Sequence, residues 1–155
     1  MTFCFFFEEN MLPVDAVYDK YSAINRRYVA LKRSYDGFVA AALFVDPHGR
    51  YFNESLSVEK DQDGNLLIKA CLRNFKIDYV PFVEADGAVK GRLRVSEIPF
   101  GQDLYSEVDS LEFGPDGYCD TGFEGESGRI YICADSTAGA ILLNFVISAL
   151  ERAET

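Results

Sequence analysis

The sequence predicts an α+β protein in which an antiparallel sheet of six to eight strands forms a meander between two helices. Three observations support this prediction. A long segment near the N-terminus repeats apolar residues in steps of three and four, which is the period of an amphipathic helix. The central region repeats Asp-Gly pairs between strand-like stretches, which is typical of hairpins. An almost wholly apolar segment near the C-terminus predicts a buried helix.

Length and composition favour a globular protein. The 155 residues fit one domain, which we expect to span 1–155, and 48% of them are hydrophobic. The formal net charge of −10 disfavours nucleic acid or anionic membrane as a direct partner, because both are bound through cationic surfaces. It favours cationic protein partners.

The ends of the chain and its cysteines predict a cytoplasmic location. The apolar run Met1–Phe7 has no basic residue and meets Glu8 and Glu9 at once, so we do not expect a signal peptide. The apolar run near the C-terminus is too short to span a bilayer. The four cysteines form no C-x-x-C pair and the chain has one histidine, so reduced thiols and no metal or cofactor are expected.

Two sequence patterns predict the N-terminal strand and helix. The aromatic run Thr2–Phe7 favours a strand. Pro13 begins the predicted N-terminal amphipathic helix, and Gly37 is its predicted end. Its apolar stripe, which we expect to face the sheet or a second subunit, consists of Val14, Val17, Tyr21, Ile24, Tyr28, Leu31 and Tyr35.

The run Phe38–Val45 is compatible with two structures, because all eight of its residues are apolar. Its three alanines favour a helix. Its length and the turn sequence at 46–49 favour a buried strand, which is the interpretation we prefer.

Asp-Gly pairs at 63–64, 86–87 and 116–117 predict the hairpins of the meander, because both residues tolerate the positive φ of a two-residue turn. The predicted strands are Ser55–Lys60, Leu66–Leu72, Ile77–Glu84, Val89–Ile98, Ser110–Phe113, Tyr118–Phe123 and Arg129–Cys133. Asp135 or Ser136 then caps the predicted buried C-terminal helix, Thr137–Ala153.

The short motifs that resemble catalytic or metal sites are incomplete. Residues 59–64 resemble the first half of an EF-hand loop, but the twelfth position is Ala70 and the bidentate glutamate is missing. The segment 125–128 lacks both the spacing of a nucleophile elbow and a phosphate-loop lysine. His48, the only histidine, lies in a Pro-Gly turn without a neighbouring nucleophile. We therefore predict a protein without enzyme activity.

The most polarised stretch of the chain runs from Gly101 to Gly128, with eight carboxylates and no Lys, Arg or His. Aromatic residues are interleaved with the carboxylates, as at interfaces that combine aromatic anchors with charge complementarity. The predicted partner-binding residues are Asp103, Tyr105, Glu107, Asp109, Glu112, Asp116, Tyr118, Asp120, Phe123, Glu124 and Glu126.

This stretch has other interpretations. It could be a solvated hairpin that only keeps the protein soluble, or it could lie over the basic residues Arg26, Arg27, Lys32 and Arg33 of the N-terminal helix. A pair of its carboxylates could also serve a glycosidase or a divalent metal, and such pairs are common in any acidic stretch.

In its size, acidity and lack of catalytic motifs, the chain resembles the small immunity proteins that bacteria pair with secreted toxins, many of which are nucleases. The resemblance is to the class and rests on no aligned motif. It implies a non-enzymatic cytoplasmic protein whose carboxylates dock on the basic cleft of its partner. Small acidic secretion chaperones, which dimerise through helices, have similar bulk properties and are the alternative, as is an enzyme that uses paired carboxylates.

Overall fold

The structure is a computed structural model that describes residues 12–45, 55–99, 101–119 and 129–153. Within these ranges, helix α1 is Val14–Ala42 and helix α2 is Asp135–Ala153. The strands are β1 Leu56–Lys60, β2 Leu66–Ala70, β3 Arg73–Val83, β4 Val89–Ile98, β5 Ser106–Phe113, β6 Tyr118–Cys119 and β7 Ile130–Tyr131. No helix in these ranges has the length and the apolar character needed to cross a membrane.

The strands β1–β5 form one antiparallel sheet in the order β1-β2-β3-β4-β5, which is a meander. The α+β class, the two helices and the meander are therefore confirmed. The single sheet of six to eight strands is not confirmed, because β6 and β7 pair only with each other. The predicted strand at Thr2–Phe7 lies outside the described residues.

The core lies between one face of the sheet and the two helices. Alternate side chains of β2, β3 and β4, such as Ile68, Ile77 and Leu93, are buried on that face. Leu142 of α2 and Leu31 of α1 belong to the same buried cluster. The opposite face, here called the open face, carries the other half of each alternating pattern.

Helix α1 continues through the run that we predicted as a strand, so the prediction for Phe38–Val45 is wrong over residues 38–42. An unbroken apolar run is compatible with a helix that is covered on two sides, and here both the sheet and α2 cover it. Gly37 is not the helix end. A Cβ at Gly37 would lie 3.0 Å from Cys133 Sγ, so this glycine permits a close approach to the segment before α2.

The N-terminal half of α1 extends beyond the core. Leu31 is buried, and Ile24 and Tyr28 pack against the core, as predicted for the stripe. Val17 and Tyr21 are exposed, so the sheet does not cover the start of the stripe.

Helix α2 begins at Asp135, two residues before its predicted start, and the Ala138 amide donates to the Ala134 carbonyl at 2.8 Å. Its predicted burial is confirmed for Ile141, Phe145 and Val146, whereas Ile147 is exposed.

The observed Asp-Gly turns differ in length and in backbone angles from the predicted two-residue turns. In all three predicted Asp-Gly turns only the glycine has positive φ, at Gly64, Gly87 and Gly117. Each glycine amide donates to the carbonyl three residues earlier, so these are longer loops with one left-handed position rather than two-residue turns. The true two-residue turn joins β2 to β3 at Cys71 and Leu72, which we had assigned to a strand.

Candidate partner-binding surface

The turn from β5 to β6 is the centre of the candidate surface. Its residues 114–117 close a tight loop in which the Gly114 amide donates to the Tyr118 carbonyl at 2.9 Å. The Asp116 carboxylate accepts from the Tyr118 amide at 3.1 Å. Gly117 supplies the left-handed position with φ of 84°. This local geometry holds Asp116 and Tyr118 at the surface.

Helix α1 and the residue that follows β7 fix this turn to the body of the protein. The Ser34 hydroxyl of α1 donates to the Pro115 carbonyl at 2.9 Å, and the Ile132 amide donates to the Gly117 carbonyl at 2.9 Å. A Cβ at Gly117 would lie 2.8 Å from Tyr131 Cε1, so no larger residue fits there without displacing that ring. The turn is therefore held on both sides.

Two tyrosines and an arginine form a partly exposed cluster beside the turn, here called the Tyr-Arg cluster: Tyr118, Arg129 and Tyr131. Tyr118 and Tyr131 are paired across β6 and β7, and their ring centroids lie 5.1 Å apart. The Arg129 guanidinium lies 4.8 Å from the Tyr118 ring centroid and contacts the Asp116 carboxylate at 3.0 Å. Tyrosine and arginine are the residue types that most often dominate binding energy at protein interfaces.

Cys133 lies behind the Tyr-Arg cluster. Its thiol donates to the Ser34 carbonyl at 3.1 Å, and burial raises its pKa. A hydrogen bond with Cys133 raises the pKa of the Tyr131 hydroxyl, which therefore remains protonated at neutral pH. Both groups act here as neutral hydrogen-bonding groups.

An open cavity of about 880 Å³ lies next to the Tyr-Arg cluster, between α1, the β3–β4 turn and the β5–β6 turn. We call it the turn cavity. Its apolar wall includes Val89 and Phe113. The Phe113 ring lies over Gly91, where a Cβ would come within 2.5 Å of Phe113 Cζ. The missing side chain of Gly91 thus creates the space that Phe113 occupies.

The rim of the turn cavity carries both signs of charge. The carboxylates are Asp86, Glu112 and Asp116, and the cations are Arg27, Lys90 and Arg129. Arg27 donates to the Gly87 carbonyl at 3.4 Å, and Lys90 contacts Glu84 at 3.0 Å. Glu112 is exposed, and no ion pair joins it to another residue in the described ranges.

The structure divides the predicted acidic surface into three groups. Glu112, Asp116 and Tyr118 lie together at the turn cavity. Asp103 and Tyr105 lie at the other end of β5, which is roughly 25 Å long for its eight residues. Asp109 points to the side of the helices, where Arg152 of α2 lies 3.8 Å away.

A bulge in β5 causes part of this division. The register shifts between Val95 and Ser96, so Ser96 pairs with Glu107 whereas Val95 pairs with Asp109. Val95 faces the core and Ser96 follows it on the other face. Two carboxylates that are two residues apart, and would share a face in a regular strand, therefore point to opposite faces.

Arginines that are remote in sequence neutralise several of these carboxylates. Glu107 contacts Arg92 at 3.5 Å, Asp116 contacts Arg129 at 3.0 Å, and Asp109 contacts Arg152. Of the basic residues of α1 that could cover the acidic stretch, Arg27 lies on the rim of the turn cavity with Glu112 and Asp116. Lys32 contacts Asp36 of its own helix at 2.7 Å.

Tyr105 belongs to a different, smaller site on the open face. It lines a cavity of about 160 Å³ together with Leu67 and Ile98, and the Lys76 ammonium lies 5.8 Å from its ring centroid. The remaining predicted residues, Asp120, Phe123, Glu124 and Glu126, lie outside the described ranges.

Sequence reasoning missed Arg129 and Tyr131 as members of the surface. The available signal was the hairpin itself, because pairing the predicted strands Tyr118–Phe123 and Arg129–Cys133 brings Tyr131 close to Tyr118. The charge count of 101–128 stopped one residue before Arg129.

In the described ranges, no three His, Cys, Asp or Glu side chains gather as a metal site. The whole chain matches no protein-family model, no curated protein and no solved structure.

Proposed function

We propose that this chain is a non-enzymatic protein that binds and neutralises a cationic protein partner through the Tyr-Arg cluster and the adjoining turn cavity. The observation that carries the proposal is the combination of two partly exposed tyrosines, an open cavity of about 880 Å³ and the exposed carboxylate of Glu112. Large aromatic side chains supply most of the binding energy at interfaces, and unpaired charges supply attraction and orientation.

The proposed mode of binding assigns different tasks to these groups. A basic side chain of the partner enters the turn cavity, where its charge meets Glu112 and its alkyl stem packs on the exposed part of the Tyr118 ring. Tyr118 and Tyr131 are covered by the partner and exclude water from the contact. In an immunity protein, the surface so covered on the partner would be the basic cleft of a toxin, for example of a nuclease.

Two variants test the proposed surface. Glu112→Lys reverses the exposed charge at the cavity rim, and Tyr118→Ala removes one aromatic anchor without changing a buried side chain. We expect Tyr118→Ala to weaken binding by about 2 kcal/mol or more, which is typical of an interface anchor. Glu112→Lys should mainly slow association, as rim charges do.

A matched control must remove charge without damaging the fold. Asp61 is unsuitable, because its carboxylate accepts from the amides of Asp63 and Asn65 and so holds the β1–β2 turn. Glu59 and Glu151 are exposed and distant from the turn cavity, so Glu59→Lys with Glu151→Lys is the control. It changes the net charge by more than the single reversal at Glu112 does.

The experiment begins with capture of partners from the native cytosol on the immobilised wild-type chain, at low and high salt. The captured protein is purified, and its association and dissociation rates are measured against all variants, with circular dichroism as the folding control. Exposed charges are screened over about 8 Å at physiological ionic strength, so association should slow as salt rises. If Glu112→Lys and Tyr118→Ala bind like the wild type, the proposed surface is wrong.

A dimeric, chaperone-like protein that holds an extended partner is the second candidate. It is favoured by the exposed apolar side chains of α1, because such proteins need broad apolar surface. In that case partner capture would depend on Tyr18 and Tyr21 of α1 and would resist high salt.

A further inference from the structure

Strand β5 lies at an edge of the sheet. It pairs with β4 on one side, and in the part of the chain that the structure describes no strand pairs with its other side. The Glu84 amide donates to the Ala88 carbonyl, which fixes the alternation of backbone groups along β3 and β4. The backbone of Val95 therefore points to β5, and that of its partner Asp109 points back to β4. The next residue, Ser110, directs its amide away from the sheet.

Side chains occupy two of the outward backbone groups of β5. The Asp109 carboxylate accepts from the Ser110 amide at 2.8 Å. Arg152, in the last turn of α2, donates to the Val108 carbonyl, and its guanidinium lies 3.8 Å from the Asp109 carboxylate. We call these contacts the edge clasp. An outward donor and an outward acceptor of β5 are thus satisfied without a further strand.

The two groups that the edge clasp occupies are the groups that a second β5 would use. Opposite residues of an antiparallel pair exchange their backbone hydrogen bonds. Two copies of β5 related by a twofold axis at Asp109 would place Ser110 of each copy opposite Val108 of the other. Each Ser110 amide would then donate to a Val108 carbonyl. The two Asp109 carboxylates would face each other, and like charges in that position are destabilising.

A second uncovered edge of the sheet carries a different obstacle to pairing. Strand β2 pairs with β3 only as far as Ile77, so β2 leaves residues 78–83 of β3 uncovered on that side. The alternation along β3 directs the backbone of residue 81 to this side. That residue is Pro81, which has no N–H group to offer. Prolines and charged side chains at strand edges hinder pairing with other chains.

We propose that the edge clasp prevents β5 from pairing with the β5 strand of a second copy of this chain. In this role Asp109 acts twice, because it caps the Ser110 amide and repels its counterpart. One of the predicted partner-binding residues thereby protects the sheet instead of contacting a partner. The edge clasp includes no residue of the Tyr-Arg cluster or of the turn cavity, so this inference and the proposed function can fail independently.

The first test opens the edge. Asp109→Ala with Arg152→Ala removes both caps and the facing charges, and it leaves the net charge of the chain unchanged. Sedimentation equilibrium of the full chain over a range of concentrations should show a Kd for self-association at least roughly tenfold below that of wild type, because the contact gains two backbone hydrogen bonds. Lys32→Ala with Asp36→Ala is the matched control. It removes an exposed ion pair on α1 and should leave the Kd unchanged.

A third substitution tests whether the new contact uses the edge of β5. Ser110→Pro removes the outward amide but no hydrogen bond to β4, because that amide points away from β4. Added to the opened variant, it should return the Kd to the wild-type value. Self-association through another surface, or of unfolded chains, would not respond to this change. Circular dichroism checks the fold of every variant.

Arg152→Ala alone gives a second measurement that does not disturb β5, because the Arg152 side chain is exposed. The Asp109 carboxylates still repel each other in this variant. Its self-association should therefore exceed that of wild type only in about 1 M salt, where charges are screened beyond about 3 Å. The proposal is wrong if the opened variant and Arg152→Ala in high salt associate no more tightly than wild type. It is also wrong if Ser110→Pro leaves the association of the opened variant unchanged.

Discussion

Two adjacent residues, Cys71 and Leu72, adopt backbone angles that L-residues seldom adopt. Their φ values are 50° and 68°, and together they form the turn between Ala70 and Arg73. Leu72 is fully exposed, so its side chain gains nothing from burial. A left-handed conformation costs an L-residue roughly 1–2 kcal/mol, which asparagine and glycine largely avoid. The turn is therefore a local source of strain within a regular hairpin.

Replacing this pair with the preferred turn sequence should stabilise the protein. We expect Cys71→Asn with Leu72→Gly to raise the free energy of unfolding by about 1–2 kcal/mol, because the native φ values suit the new residues. Urea denaturation measures the change. Leu72→Ala is the control, since it removes an exposed side chain but keeps an L-residue in the strained position. Equal or lower stability of the double variant would show that the turn is not strained.

The same turn shows the limit of residue-level prediction. Asp-Gly pairs correctly located three loops between consecutive strands, because glycine supplies positive φ wherever a loop needs one such position. Cys71 and Leu72 carry no such signal, and their apolar character extended the predicted strand past its end. The strand register, and not the local sequence, imposes their backbone angles.

At the scale of elements, α1 meets the sheet through a buried tyrosine. The Tyr35 hydroxyl donates to the Ile77 carbonyl of β3 at 3.0 Å and lies 2.8 Å from Asn65 Oδ1. Its ring stacks on Tyr79 with 4.4 Å between the ring centroids. Burial, followed by the negative charge of Asp78, raises the pKa of Tyr35 far above its ordinary value. The folded protein therefore holds this hydroxyl in its protonated form.

This contact predicts a loss of stability in alkaline solution. The raised pKa of Tyr35 stabilises the folded protein. This contribution is fully present below about pH 10, the pKa of tyrosine in the unfolded chain, and it is lost as the pH rises above that value toward the pKa in the folded protein. Unfolding free energies measured from pH 8 to about pH 11 should therefore fall less steeply for Tyr35→Phe than for wild type.

Two further results complete that test. Tyr35→Phe should be less stable than wild type near neutral pH by about 1–2 kcal/mol, since the Ile77 carbonyl loses its donor. Tyr18→Phe, at an exposed position on the same helix, should follow the wild-type slope. The same slope in all three proteins would contradict the assignment of the alkaline loss to Tyr35.

Element boundaries were predictable where one face meets solvent. The predicted bounds of β4 are those observed, because buried and half-buried residues alternate along most of the strand. The predicted boundaries are wrong for residues 38–42, because α2 covers the side of α1 that solvent would otherwise occupy. An element that is apolar on every side carries no period, so only the tertiary structure decides between helix and strand.

At the scale of the whole molecule, charges that are close together in the sequence are not close together in the structure. Every charged residue of the stretch 101–128 is acidic. Its carboxylates that the structure describes lie at both ends and on both faces of β5, and three of them are approached by Arg92 of β4, Arg152 of α2 and Arg129, which precedes β7. Composition predicted the presence of carboxylates at the surface. It could not predict the bulge in β5 or the arginines, because both depend on strand register.

The packing of α1 against α2 also constrains how the protein can be made. The strands of the sheet separate these two helices in the sequence, yet the helices contact each other and share one core on the same face of the sheet. During synthesis the meander and α1 leave the ribosome first, while the apolar surface that Leu142 and Phe145 will cover stays open. We therefore expect the nascent chain to acquire its native core only after α2 has emerged, and to depend until then on chaperones that shield that surface.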